Sequence, residues 1–447
     1  MTLKLTKYLV TTPPIVDSHN IASRVLFSTR TGEMRLVDDR TWHILRSGEW
    51  QGLPAEALTD LVAAEILVSD DQDELSTILQ QNRAAALDDD VLSLVIMPTA
   101  SCQLGCGYCG QEHTSRWLSA EHQDQFLALA RSKLDRGKFR HLFIRWFGAE
   151  PLSGLGVIRR FSPRLQQLAS THGCTYGARI VTNGLALTPA VAAELVLEHS
   201  VRMIDITLDG PPEHHDTRRM QKNGRPTFSR IFTNVVALAR SNLAAEIRLR
   251  TNVDASNCEG VVPLLRMLAA EGIQDRIQYY AAPIHSWGND AHQRSLPPEE
   301  FARKEVEWFC EMLRLGFMPG VIPKRQRVVC MAVEPEALLV DATGTLFSCT
   351  EAPYVPSYGN PNQYAIGDVA SGELAGRRNL LASFNDRVAD GKYPCSTCRM
   401  LPVCGGACPK SWSDGHEPCP SALYNIEARL LLAAAVAHGQ ESQPDQA

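Results

Sequence analysis

The sequence predicts an α/β fold built on a partial, TIM-like (β/α)6 barrel, with a small unit before the barrel and a cysteine-rich region after it. The first observation is that about six apolar strand segments alternate with helical segments between residues 91 and 315, a pattern typical of a parallel sheet. The second is that short polar or glycine-containing segments directly follow several of these strands. Binding and catalytic residues of such barrels lie at this end of the strands.

Composition and charge exclude several classes of function. The chain has 447 residues, a formal net charge of -6 and an ordinary balance of apolar and charged residues. The negative charge argues against a nucleic-acid partner, no apolar run is long enough to span a membrane, and the N-terminus carries no signal-peptide pattern. We therefore expect a cytoplasmic protein with reduced cysteines, and the count of 13 indicates metal binding or catalysis rather than disulfide bridges.

Residues 1–90 are predicted to form one small unit. The segment "RVLFSTRTGEMRLVDD" predicts two strands around a turn at Thr31-Gly32. Helical spacing follows at Trp42, Leu45, Leu58, Leu61, Val62 and Ile66. The acidic segment that begins at Ser69 is predicted to be a helical linker to the barrel.

The barrel, residues 91–315, is assembled from apolar segments. The predicted strands are "LSLVIM", "HLFIRW", "ARIVT", "MIDITL", "EIRLRTNV" and "IQYYAA". Among the helices between them, the one that follows the third strand has a clear start, because Thr188 supplies a capping hydroxyl and Pro189 suits the first helical position.

The region from 316 to 425 is rich in cysteine, proline and glycine and shows little helical periodicity. The final segment, residues 426–447, is predicted to be an apolar helix followed by a disordered polar tail, "QESQPDQA".

Three cysteines follow the first barrel strand. Cys102, Cys106 and Cys109 have the spacing C-x3-C-x2-C. Because each iron of a 4Fe–4S cluster needs an outer ligand, three thiolates leave one iron open to a small chelating molecule. A zinc knuckle, or three unrelated buried cysteines, is the alternative at this point.

This motif, with Tyr108 before its last cysteine, resembles the signature of the radical S-adenosylmethionine (SAM) enzymes. In that family the open iron chelates the amino and carboxylate groups of SAM. An electron from the cluster cleaves SAM to methionine and a 5′-deoxyadenosyl radical, which abstracts hydrogen from the substrate.

Segments after later strands extend the resemblance. "WFGAEPL" resembles the family's G-G-E-P segment, "VTNG" and "TLDG" resemble its T-N-G and S-x-D-G segments, and "HHDTRR" matches its H-D-x-x-R pattern. Alanine replaces the usual second glycine of G-G-E-P, and it would be strained there if the backbone φ is positive. By this resemblance, the residues that contact SAM are Tyr108, Gly148, Ala149, Glu150, Asn183, Thr207 and Arg219.

The later cysteines have the spacing C…G-x4-C…C-x2-C-x5-C-x3-C…C, which is similar to the seven-cysteine SPASM domain. That resemblance implies two auxiliary 4Fe–4S clusters, and so three clusters in all. Auxiliary cluster I would be held by Cys330, Cys349 and Cys408, and auxiliary cluster II by Cys395, Cys398, Cys404 and Cys419. A pair of zinc sites is the alternative.

Auxiliary cluster I has three clear ligands. Some relatives carry a further cysteine six residues before the motif, where this chain has Lys324. The fourth ligand is then a distant side chain, a water molecule or the substrate. Cys174, Cys258 and Cys310 are interpreted as small buried hydrophobic residues.

Two residues near the sixth strand, Tyr280 and His285, are candidate catalytic proton acceptors, because oxidation of a radical intermediate also releases a proton.

The N-terminal unit resembles the winged-helix-like peptide-recognition domain of many maturases of ribosomally synthesised peptides. That domain binds a leader peptide by adding it as a strand to an exposed sheet edge. The implied partners are a precursor peptide with its leader and a reductant such as flavodoxin or ferredoxin. A decorative or dimerising unit is the alternative.

Together these features predict a radical SAM/SPASM peptide maturase that makes a C–C or C–S cross-link or another oxidative modification. The first alternative is an anaerobic sulfatase-maturating enzyme, which produces formylglycine. An iron–sulfur electron carrier or scaffold is a third possibility, but the segments that resemble a SAM pocket argue against it.

Overall fold

The computed structural model describes residues 2–16, 20–373 and 379–441. The strands in this part of the chain are β1 (Leu3–Leu5), β2 (Leu9–Thr11), β3 (Ile15–Val16), β4 (Ala22–Ser28), β5 (Glu33–Asp38), β6 (Leu67–Ser69), β7 (Val91–Ile96), β8 (His141–Trp146), β9 (Thr175–Thr182), β10 (Val201–Thr207), β11 (Glu246–Val253), β12 (Ile277–Pro283), β13 (Leu338–Val340), β14 (Thr345–Phe347), β15 (Ala365–Asp368) and β16 (Gly372–Glu373).

The α-helices in the same residues are α1 (Asp39–Ser47), α2 (Ala55–Ala63), α3 (Glu74–Leu87), α4 (Ala120–Leu134), α5 (Leu155–Thr171), α6 (Pro189–Leu197), α7 (Pro212–Arg218), α8 (Phe228–Ala239), α9 (Val261–Ala270), α10 (Pro298–Arg314), α11 (Phe384–Ala389), α12 (Leu401–Cys404), α13 (Pro409–Ser413) and α14 (Ala422–Glu441). The predicted polar tail lies largely outside the described residues, from 442 onward. No helix in the described ranges is long and apolar enough to cross a membrane.

Strands β7 to β12 are parallel and hydrogen-bonded in chain order, and each connection between them contains at least one α-helix, so the predicted partial barrel of six strand–helix repeats is confirmed. Strands β8 and β11 have the bounds of the predicted segments. On β8, Leu142, Ile144 and Trp146 are fully buried in the core between the sheet and its helices. Alternate residues of a strand point to opposite faces, so Arg145 lies on the other, concave face.

The sheet does not end at the barrel. Strand β13 pairs in parallel with β7, with Leu338 opposite Leu94 and Val340 opposite Ile96. Strands β14, β15 and β16 continue the same sheet by antiparallel pairing. The cysteine-rich region is therefore attached directly to the first barrel strand.

The N-terminal unit contains the predicted hairpin. Strands β4 and β5 pair antiparallel across the turn at Thr31-Gly32, and β2 and β3 pair with the other edge of β4. The expectation that helical structure continues to Ile66 is wrong. Helix α2 ends at Ala63, Glu65 has a φ of 52°, and the following residues form β6, which pairs with β1.

The predicted helical linker is α3, and it is packed rather than exposed. Ile78 and Leu79 are buried in a cluster with Phe384 and Val388 of the cysteine-rich region and with Tyr8. The N-terminal unit thus packs against the C-terminal region of the chain.

The predicted helix start at Thr188 gives a stability test. The Thr188 side chain accepts a hydrogen bond from the Val191 backbone N–H. We expect Thr188→Ala to lower the free energy of unfolding by about 1 kcal/mol, measured by chemical denaturation of the metal-free chain. Thr188→Ser keeps the hydroxyl and serves as the control; equal losses in both variants would contradict a capping role.

Candidate functional site

A cavity of about 220 Å³ opens at the C-terminal ends of the barrel strands. It brings together most of the residues predicted for the SAM site, although they are far apart in the sequence. Of the predicted residues, its lining includes Cys102, Cys106, Tyr108, Cys109, Gly148, Ala149, Asn183, Thr207, Arg219 and His285.

The three-cysteine loop is held by backbone contacts. The Gly105 N–H donates to the Met220 carbonyl, and the Gly107 N–H donates to the Arg218 carbonyl. The loop therefore lies against the segment that follows α7. The Leu104 N–H donates to the Cys102 sulfur at 3.4 Å, a contact of the kind that tunes cluster-ligating thiolates.

Burial raises the pKa of the Cys102 thiol to about 12 and that of Cys106 to about 11; Arg219 opposes the shift at Cys106. The metal-free loop therefore holds protonated thiols. Ligation by iron would release these protons, and the positive charge of the iron and of Arg219 would stabilise the thiolates.

Tyr108 is the centre of a polar network beside the loop. Its hydroxyl donates to Asp209 at 2.7 Å and accepts from the Asn252 amide at 3.0 Å and from Arg219. The Arg218 guanidinium lies 5.3 Å from the centre of the Tyr108 ring. The "TLDG" and "HHDTRR" segments and the end of β11 therefore meet at the Tyr108 hydroxyl.

Glu150 does not line the cavity but ties two strand ends together beside it. Its buried carboxylate accepts hydrogen bonds from the Leu152 N–H at 2.9 Å, the Thr182 hydroxyl at 2.7 Å and the Asn183 N–H at 2.7 Å. These contacts connect the loop after β8 to the end of β9. Glu150 thus orients Asn183, whose amide lies 3.9 Å from the Cys102 sulfur.

The "FGAE" turn has left-handed backbone at both central positions. Gly148 has a φ of 80°, and a Cβ atom there would lie 2.4 Å from the Met97 sulfur. Ala149 has a φ of 40°, the strained case anticipated from the sequence. Its N–H donates to the Gln111 side chain at 3.1 Å.

Sequence reasoning missed several residues that line the cavity. They are Gln111, His113, Arg250, Asn252, Trp287 and Glu351. Gln111 and His113 directly follow the three-cysteine motif, and Arg250 and Asn252 lie near the end of the fifth barrel strand, so their positions in the sequence were signals for these four. Glu351 was not foreseeable, because it reaches the cavity from the cysteine-rich region.

Gly110 allows the loop between β12 and α10 to approach the three-cysteine loop at this cavity. A Cβ atom at Gly110 would lie 2.0 Å from the Trp287 carbonyl oxygen, so only glycine permits the two backbones to approach this closely. Trp287 also stands beside His285, with ring centres 5.8 Å apart.

His285 and Tyr280 have different surroundings. His285 lines the cavity, and burial together with the nearby Arg250 charge lowers its pKa. Tyr280 lies on the edge strand β12, opposite Arg250 of β11, and is 38% exposed. It lines a different groove, together with Trp308 and Arg429. The two residues predicted as proton acceptors are therefore not in the same pocket.

The four cysteines predicted for auxiliary cluster II share one apolar cavity. This cavity of about 80 Å³ is lined by Cys395, Cys398, Cys404 and Cys419. The Met400 N–H donates to the Cys398 sulfur at 3.4 Å, and the Gly406 N–H donates to the Cys404 sulfur at 3.3 Å. Four thiols that line one cavity, two of them with backbone donors, are a ligand set that fits a 4Fe–4S cluster.

The three cysteines predicted for auxiliary cluster I are also neighbours. Cys330 and Cys408 lie close enough to Cys349 to contribute to its raised pKa, although burial is the main cause. The Ser411 N–H lies 3.5 Å from the Cys408 sulfur. In the described residues, no group of three His, Cys, Asp or Glu side chains converges on a single metal-ion position, so the fit of the cysteines rests on these shared surroundings.

The cysteines interpreted as structural lie away from these sites. Cys174 and Cys258 are buried in the hydrophobic core of the barrel, and Cys310 is partly buried on α10.

The comparisons with known proteins agree with this geometry. No family model matches the chain. The serine-type anaerobic sulfatase-maturating enzyme of Bacteroides thetaiotaomicron is 21% identical over 361 residues, which are 72% of this chain and 83% of that enzyme.

Solved structures show the fold. Native anSMEcpe with bound AdoMet superposes with a TM-score of 0.57 and 16% identity, over 78% of this chain and 97% of that one. Streptococcus suis SuiB bound to precursor peptide SuiA superposes with a TM-score of 0.50 and 12% identity, over 94% of this chain and 98% of that one. These likenesses confirm the predicted fold, and the chain resembles solved enzymes of the kind that the sequence motifs indicate.

The strained turn gives a paired prediction. We expect Ala149→Gly to raise the free energy of unfolding by about 1 kcal/mol, because glycine has no Cβ penalty at positive φ. We expect Gly148→Ala to lower it by more than that and to weaken SAM binding, because its Cβ would collide with Met97. Chemical denaturation of the metal-free chain measures the two changes in the free energy of unfolding, and equilibrium dialysis of labelled SAM measures the change in SAM binding. If Ala149→Gly destabilises the protein, the backbone at Ala149 is not strained.

Proposed function

We propose that the chain is a radical SAM/SPASM maturase that introduces a C–C or C–S cross-link, or another oxidative modification, into a ribosomally synthesised precursor peptide. The observation that carries this proposal is the single cavity at the barrel mouth, which joins Cys102, Cys106 and Cys109 to the polar residues expected to hold SAM. Auxiliary clusters then complete a set of three 4Fe–4S clusters.

The chain's own residues hold the cofactors. Cys102, Cys106 and Cys109 ligate the first cluster, and Tyr108 keeps Arg219 at its side through their hydrogen bond. When bound, the cluster and SAM would supply radical chemistry that removes a hydrogen atom from the peptide. Gly110 and Trp287, whose backbones approach closely, both form part of the cavity wall.

His285 is proposed to take the proton that leaves the substrate on oxidation. Burial and the Arg250 charge lower its pKa, so the imidazole is neutral at neutral pH and able to accept a proton. The proposed acceptor of the accompanying electron is an auxiliary cluster, and a reductant such as flavodoxin or ferredoxin reduces the first cluster.

The N-terminal unit is proposed to bind the leader peptide. Strand β5 pairs only with β4 among the described strands, so its outer edge is open to an added strand. Leu36 on β5 is 51% exposed and offers an apolar contact. Strand addition through the backbone suits leaders of varied sequence.

A specific observation supports the alternative, an anaerobic sulfatase-maturating enzyme. The sulfatase-maturating relative matches 72% of this chain. The wider 94% coverage by SuiB, whose structure contains a precursor peptide, favours peptide maturation, since an N-terminal unit is of little use in sulfatase activation.

The proposal is tested with anaerobically reconstituted protein, SAM, dithionite and a short precursor peptide encoded beside the gene. We expect 5′-deoxyadenosine and a peptide lighter by two hydrogens for each modification. If the precursor is unchanged while a sulfatase-derived Ser or Cys peptide yields an aldehyde captured by hydrazide, the alternative is correct. If neither peptide nor SAM is consumed, both are wrong.

Proton removal by His285 gives a separate prediction. We expect His285→Ala to keep forming 5′-deoxyadenosine while losing most of the modified peptide, because hydrogen abstraction does not need the imidazole but oxidation does. Tyr280→Phe is the matched control, since Tyr280 lies outside the cavity. Liquid chromatography with mass spectrometry measures both products; equal loss of product in the two variants would contradict the assignment.

A further inference from the structure

Arg250 is a charged residue of the barrel-mouth cavity whose side chain has no partner. It lies near the end of β11, opposite Thr207 of β10, and both residues line the cavity. The other arginine of the lining, Arg219, is hydrogen-bonded to the Tyr108 hydroxyl. By contrast, the Arg250 guanidinium forms no hydrogen bond, ion pair or cation–π contact with any residue that the structure describes, and its Nε atom is buried.

The neighbouring side chains on the same face of β11 do have partners. Alternate residues of a strand share a face, so Arg248 and Asn252 lie on either side of Arg250. The Arg248 guanidinium forms an ion pair with Glu246 at 2.6 Å. The Asn252 amide donates to the Tyr108 hydroxyl at 3.0 Å. Arg250 is therefore the residue of this row whose side-chain donors are unused.

The carboxylates on the strands around this arginine are already engaged. Asp205, the acidic residue of β10, accepts two hydrogen bonds of 2.6 Å from Arg179. On β11 the carboxylate of Glu246 is paired, and β12 contains no acidic residue. Asp209, just after β10, accepts from the Tyr108 hydroxyl at 2.7 Å. None of these groups neutralises the free guanidinium.

Glu351 is the acidic residue of the cavity lining, and it does not pair with Arg250 either. It reaches the cavity from the cysteine-rich region, and its carboxylate accepts from the Thr350 hydroxyl at 3.2 Å. Within the described ranges, no ion pair joins Glu351 to Arg250. The Arg250 charge adds to burial in lowering the pKa of His285, which lines the same cavity. An unpaired cation therefore lies beside the place where the peptide is proposed to react.

A guanidinium in this position suits a carboxylate ligand. Its planar fork of N–H donors matches the two oxygens of a carboxylate, and it carries no acceptor. A site built around such a pair rejects an uncharged analogue strongly, because the buried donors are then left unpaired. The carboxylate of SAM is assigned to Arg219 by the sequence resemblance. Arg250 is then available to the peptide.

We propose that Arg250 binds a carboxylate of the precursor peptide, and that the enzyme therefore selects a peptide with an acidic group at or next to the modified residue. The carboxylate belongs to an Asp or Glu side chain or to the C-terminus of the peptide. Arg250 is thus a specificity-determining residue that fixes the position of the peptide in the cavity. This inference rests on the proposed function, since it requires a peptide substrate at the barrel mouth.

The test compares Arg250→Gln with the wild type, using anaerobically reconstituted protein and the precursor peptide encoded beside the gene. Assays at about pH 8 keep His285 neutral with or without the arginine charge. We expect Arg250→Gln to raise KM for the precursor by about 10- to 100-fold, with a smaller change in kcat, and to leave the Kd of labelled SAM unchanged. Arg248→Gln is the matched control, because Arg248 lies on the same strand face but outside the cavity lining; it should leave KM unchanged.

Variants of the peptide identify the carboxylate. Each Asp or Glu of the precursor is replaced singly by Asn or Gln, and a further peptide carries an amidated C-terminus. We expect one of these peptides to raise KM of the wild type by the same factor as Arg250→Gln, and to cause no further increase in that variant, since both changes remove the same pair. An effect at one Asp or Glu assigns a side chain, and an effect of amidation assigns the C-terminus.

Three results would overturn the proposal. In the first, no peptide variant changes KM; in the second, its effect adds to that of Arg250→Gln. In the third, Arg250→Gln weakens SAM binding and leaves KM for the precursor unchanged, so that Arg250 belongs to the SAM site. If the wild type forms no 5′-deoxyadenosine and modifies no precursor, the proposed function itself fails, which is a different result.

Discussion

The parallel pairing of β13 with β7 is the constraint on which the other sites depend. It continues the barrel sheet into the cysteine-rich region, so that Val340 lies opposite Ile96, at the end of the strand that leads into the three-cysteine loop. The Met97 N–H also donates to the Val340 carbonyl at 2.9 Å. Because of this pairing, Glu351 reaches the barrel cavity, and Cys330 and Cys349 pack in one cluster with Val95 of β7 and Leu339 of β13.

A second feature is that the barrel mouth is organised by two buried oxygen centres. Glu150 gathers the ends of β8 and β9, and the Tyr108 hydroxyl gathers Asp209, Arg219 and Asn252. Both keep their partners at fixed distances without filling the cavity. The polar side chains around the cysteines are therefore held in place by hydrogen bonds to other residues of the protein. A fixed polar wall of this kind suits the binding of a polar cofactor in one orientation. Ala149 has a positive φ at the same turn.

Local sequence patterns predicted most of the helices and strands. Features that depend on contacts between distant segments could not be predicted. The period-two pattern of "HLFIRW" and the cap at Thr188 act within a few residues, and both were predicted correctly. The spacing of Ile66 predicts a helix. The helix instead ends at Ala63, and the chain continues into β6, which pairs with β1. The burial of α3, the entry of Glu351 into the cavity and the edge position of Tyr280 all depend on contacts between segments far apart in the sequence.

The central claim is that the three-cysteine loop holds a cluster whose open iron binds SAM. The most direct measurement is electron–nuclear double resonance of the reduced protein with SAM carrying ¹⁵N in its amino group and ¹⁷O in its carboxylate. We predict that both labels couple to the cluster, and that Cys106→Ala abolishes the couplings while the auxiliary signals persist. A cluster spectrum that SAM leaves unchanged, without coupling to either label, would contradict the account.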